Sequence, residues 1–133
     1  MATDGSTIEI TEENFADTVS EGITVLDFWA EWCGPCRMFA PIFEQAAKKH
    51  SDIKFGKVDT EAQQGIAAAF QIRSIPTVMV FRDNILLMQQ AGMLPAPALD
   101  QVVEKVKALD MDEVRAEIEK QKAESDDSGD SDS

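Results

Sequence analysis

Apolar and polar positions follow two rhythms along this chain, and each rhythm predicts an element. Ile8-Glu9-Ile10 has the two-residue period of a short strand. Thr11 is placed to cap a helix over Glu12 to about Val19, with Glu12 and Glu13 near its positive dipole end. Thr24 to Trp29 is apolar almost throughout, interrupted by Asp27, which is the pattern of a central strand covered on both faces. A long helix is predicted from Cys33 to about His50. Pro41 inside it removes a backbone donor and should kink it. Ile53 to Asp59 reads as a strand, Glu61 to Phe70 as an alanine-rich helix and Thr77 to Phe81 as a further strand. Asp83-Asn84 suits a two-residue hairpin turn leading into Ile85 to Met88. Gly92, Pro95 and Pro97 mark a loop, after which Leu99, Val102, Val103, Val106 and Leu109 share one helical face.

The order βαβαβαββα predicts an α/β fold. Strands separated by helices imply parallel pairs, and the late hairpin adds antiparallel ones, so the sheet is mixed, with about five strands and about four flanking helices. This domain is expected over residues 1–109. Met111, Val114 and Ile118 keep a helical spacing, which predicts a helical extension over 110–124. Residues 125–133 contain nothing apolar and read as a disordered, solubilising acidic tail.

Composition narrows the function classes. The chain has 133 residues, 44% of them hydrophobic, which suits one domain with a true core. No apolar run approaches the roughly 20 residues of a membrane-crossing helix. The segment Met1 to Ser6 has neither a basic nor an apolar character, so no secretory leader is read there and a cytoplasmic protein is expected. The net charge of −13 argues against nucleic acid and against an anionic membrane surface as partners.

The chemistry centres on the only two cysteines, Cys33 and Cys36. Their spacing closes too small a loop to staple a domain, and points to redox chemistry or a metal. Structural zinc wants four ligands, and two cysteines with the distant His50 leave that shell incomplete, so no metal is expected. His50 reads as a cation at a helix C-terminus when protonated. Position favours redox chemistry. Trp32-Cys33-Gly34-Pro35-Cys36 follows a buried strand and opens a helix, where unsatisfied N–H groups and the helix dipole stabilise a thiolate. Cys33 is therefore the expected nucleophile, and Cys36, one turn further in, the more shielded thiol. Pro35 fits early helix geometry. Phe28, Phe39, Phe43, Met79 and Phe81 read as core. Met38 and Met93 read as filler that could also line a docking surface.

The run from Leu26 to Met38, followed by Ala40-Pro41, resembles the active-site segment of the thioredoxin family. Arg73-Ser74-Ile75-Pro76-Thr77 resembles that family's cis-proline loop, Gly56-Lys57-Val58-Asp59 its third strand and Gln90-Ala91-Gly92 its late glycine. The similarity spans roughly residues 8 to 109, and it implies a thioredoxin fold and general protein-disulfide reduction by dithiol–disulfide exchange. Cys33 would attack, Cys36 would resolve, and Asp27 would accept and donate the Cys36 proton, since burial raises a carboxyl pKa. Lys57 would be the charge partner that tunes Asp27, and Gly34 and Pro35 would tune the redox couple. Trp32, Ile75, Pro76 and Gly92 would form the docking surface for disulfide-containing proteins, with Trp29 packed beneath. The resemblance further implies a monomer without bound cofactor, recharged by a thioredoxin reductase with electrons from NADPH. Three features depart from the family pattern: Asp83-Asn84 in the hairpin, the loop Met93 to Pro97, and the extension beyond Leu109. An oxidant or isomerase of the same fold, and a binding module that does not turn over, are the competing readings.

Overall fold

The computed structural model describes residues 6–132, with side chains described through residue 125. Five strands and five helices are found among the described residues, in the order β1 (Ile8–Glu9), α1 (Phe15–Val19), β2 (Ile23–Trp29), α2 (Gly34–Lys49), β3 (Lys54–Asp59), α3 (Gln64–Ala69), β4 (Thr77–Arg82), β5 (Ile85–Ala91), α4 (Ala96–Ala108) and α5 (Met111–Asp132). The strands form one sheet in the order β1-β3-β2-β4-β5. β3 runs parallel to β1 and β2, whereas β4 runs antiparallel to β2 and β5. This is the mixed sheet expected from the order of the elements.

Strand periodicity sorts the core onto the two faces of the sheet. Ile23, Val25, Phe55, Val78 and Val80 pack against Phe39 and Phe43 of α2 and Leu99 and Val103 of α4. Leu26, Phe28, Val58, Met79 and Phe81 pack on the opposite face with Ile10, Val19 and Ile66. Gly56 of β3 leaves no room for a side chain, since a Cβ there would lie 2.6 Å from Ile10 Cγ1. Asp27 and Lys57 keep the α2-facing phase of their strands and are paired in register across β2 and β3.

Most differences from the sequence-based expectations lie at element ends. α1 begins at Phe15 rather than Glu12, because Thr11 and Asn14 bond each other's backbone N–H groups through their side chains and hold a turn there. α3 begins at Gln64 rather than Glu61, because the Asp59 carboxylate accepts from the N–H groups of Glu61 and Ala62. β5 runs on to Ala91, past the expected end at Met88. α2 continues through Pro41 as a single helix. Asp83 and Asn84 both adopt positive φ, of 53° and 71°, as a tight hairpin turn requires.

α5 starts where the helical extension was expected, and Asp110 caps it by accepting from the N–H groups of Asp112 and Glu113. The helix reaches Asp132, into the stretch 125–133 read above as disordered. Side chains from residue 126 onward lie outside those described. No helix among the described residues is long and apolar enough to cross a membrane.

Candidate active site

β2 is the central strand, and its C-terminal end delivers the chain through residues 30–32 to the start of α2. Cys33 is the N-cap residue of that 16-residue helix, and Pro35 lies in its first turn. Cys33 and Cys36 are joined as a disulfide with their Cα atoms 5.2 Å apart. The backbone N–H of Cys36 donates to Cys33 Sγ at 3.1 Å. That donor and the helix dipole converge on the sulfur that must carry negative charge once the bond is reduced. Both cysteines are almost fully enclosed, so the expected contrast in exposure between them is slight: Cys33 is 4% exposed and Cys36 2%. Ala30, Trp29 and Ile75 pack around the pair.

The loop before β4 closes one side of the disulfide. The Ile75–Pro76 peptide bond is cis. The Ile75 carbonyl oxygen lies 3.7 Å from Cys33 Sγ. Gly92, at φ 94°, donates its N–H to the Pro76 carbonyl at 2.8 Å, which ties the end of β5 to the same loop. Pro76 is buried, and Ile75 and Gly92 are half-buried. Trp32 is 68% exposed beside the disulfide, and Met38 on α2 is exposed as well. Met93 instead packs against the α2–α4 core.

Asp27 is completely buried, and neither carboxyl oxygen meets a protein hydrogen-bond partner among the described residues. Burial pushes its carboxyl up to about 7, and the nearby Glu44 carboxylate adds to the rise while Lys57 opposes it. Lys57 is itself only 4% exposed, so it is not a solvated strand lysine. Besides acting on Asp27, it has an ion-pair partner in Glu44. Lys57 Nζ lies 3.5 Å from Glu44 Oε2 and 5.1 Å from the Trp29 ring centroid, and it acts on Asp27 through space. A small hollow of about 50 Å3, lined by Trp29, Glu31, Cys36, Arg37, Ala40 and Lys57, adjoins these groups.

Glu44 is the residue that sequence reasoning missed. A signal existed, since Cys36, Ala40 and Glu44 recur every four positions and therefore share one stripe of α2. His50 is set apart from the site. It is buried at the C-cap of α2, where its Nε2 meets Asp100 Oδ1 at 2.9 Å. Among the described residues no cluster of three or more His, Cys, Asp and Glu side chains is placed to hold a metal.

Comparison with known proteins agrees with this geometry. The family model described as Thioredoxin matches residues 6–105. A Streptomyces coelicolor protein assigned as thioredoxin 2 is 52% identical over 119 residues, covering 89% of each chain. Thioredoxin of Bacillus subtilis is 36% identical over 99 residues, covering 74% of this chain and 95% of its own. Among solved structures, a mutant thioredoxin from Halobacterium salinarum superposes with a TM-score of 0.74 at 28% identity, covering 83% of this chain and 98% of its own. With its cysteine pair closed across the first turn of α2, the chain belongs to the thioredoxin family of dithiol–disulfide oxidoreductases.

Proposed function

We propose that the protein is a general reductase of protein disulfides in the cytoplasm, with Cys33 as nucleophile and Cys36 as resolving thiol. The observation that carries this reading is the Cys36 N–H aimed at Cys33 Sγ at the dipole end of α2. Once the couple is reduced, that arrangement favours a thiolate on Cys33. The thiolate attacks one sulfur of the target disulfide. A bond forms between Cys33 and the target, and the second target sulfur leaves as a thiolate that takes up a proton. Cys36 then gives its proton to Asp27 and attacks Cys33 Sγ, which closes the Cys33–Cys36 disulfide and expels the reduced target.

A carboxyl held near neutrality suits that proton transfer, because it is ionised often enough to accept and protonated often enough to donate. Lys57 limits how far burial lifts it. Gly34 and Pro35 keep the connection between the two cysteines short and stiff, and so tune the couple. Trp32, Ile75, Pro76 and Gly92 provide the surface on which an extended target segment docks. Recharging falls to a thioredoxin reductase supplied by NADPH, and the protein works as a monomer.

Two variants test the assignment. Cys33→Ser should abolish reduction of a model protein disulfide such as insulin. Cys36→Ser should instead accumulate a covalent enzyme–target disulfide visible by non-reducing electrophoresis. Retention of turnover in Cys33→Ser would move the nucleophile elsewhere and refute the reading.

A further inference from the structure

The charged groups that act on Asp27 come from two elements, Lys57 on β3 and Glu44 on α2, and Cys36 lines the hollow beside Lys57. β4, on the other side of β2, places Val78 opposite Asp27 and no ionisable group at that level. Glu31 and Arg37 stand at the adjoining hollow. Among the described residues Lys57 is the cation that acts on Asp27, and its ammonium is claimed by a second carboxylate. Glu44 Oε2 lies 3.5 Å from Nζ, whereas neither oxygen of Asp27 is hydrogen-bonded to it. Glu44 is 27% exposed in its side chain, so its own charge is kept partly hydrated while it meets the buried lysine.

We propose that Glu44 is a positioning residue of the exchange reaction: it shares the Lys57 ammonium with Asp27 and so sets the pH at which Asp27 takes up and releases its proton. The consequence for exchange rests on Asp27 acting as the proton acceptor of Cys36. Two effects of Glu44 have the same sign. Its negative charge disfavours a second carboxylate nearby, and its hold on Nζ keeps the compensating cation off Asp27. Removing that charge while keeping the side-chain volume should therefore favour ionised Asp27.

The test is the titration of Asp27 in the oxidised protein, followed by carboxyl-carbon NMR with labelled aspartate, with D27N identifying the resonance. E44Q should lower the Asp27 midpoint by roughly one pH unit. The acid limb of the pH profile for resolution of the mixed disulfide should move down with it. In a K57M background the shift caused by E44Q should shrink, because the shared ammonium is gone. An unmoved midpoint in E44Q, or a shift of equal size with and without Lys57, overturns the proposal. A midpoint that moves while the rate profile stays fixed leaves the Glu44–Lys57–Asp27 coupling standing and sinks the assignment of Asp27 as proton acceptor.

Discussion

Asp27 has to be desolvated to occupy its place in β2, and no donor among the described residues offsets the loss of water at its oxygens. The folded protein holds this proton up to about pH 7, whereas the unfolded chain releases it near 3.8. Between those values the native state binds the extra proton, so stability falls as pH rises through this window and levels off above it. Asp27→Asn removes that dependence. Urea unfolding should show a gain on the order of 4 kcal/mol at pH 8 that fades as the pH approaches 4. The same variant should slow disulfide reduction. A stability gain of equal size at both pH values would show that ionisation of Asp27 is not the source.

At the scale of the elements, β3 shows how tightly the sheet is assembled beneath the site. It lies between β1 and β2, and a Cβ on Gly56 would meet Ile10 Cγ1 at 2.6 Å and Leu26 Cδ2 at 3.0 Å. Gly56→Ala should cost roughly 1–3 kcal/mol by overpacking, read as a lower urea midpoint at an unchanged m-value. No loss would mean that the Ile10 side chain yields freely. Elements with long, unambiguous patterns were legible in the sequence: the apolar run of β2, the hairpin turn at Asp83-Asn84, and the helix opened by the cysteine motif. The starts of α1 and α3 were not, because Thr11, Asn14 and Asp59 divert backbone N–H groups into turns that hydrophobic spacing does not register. The end of β5 was hidden too, since its Gln89-Gln90 segment is polar and exposed on an edge strand. At the site, the cysteines and Asp27 were legible from their place beside one strand. The Lys57–Glu44 pair was not, because its members meet only once α2 lies across β3.

Across the whole molecule, the disulfide and the first turns of α5 stand at opposite ends of the sheet. Cys33 follows the end of β2, while Arg115 of α5 reaches Asp83 in the turn paired with the start of β2. Asp83 also accepts from the Gly22 N–H, which fixes that turn to the strand. The reaction centre is therefore built by the sheet, α2 and the cis-proline loop, with α5 attached at the far end. The most direct test of the account is the reduction potential of the Cys33–Cys36 couple, measured by equilibration with glutathione buffers of known ratio. A general reductase requires a couple more reducing than the cytosolic glutathione poise of roughly −220 to −260 mV. A reversible couple near or above about −180 mV would contradict the account and make the protein an oxidant or isomerase of the same fold.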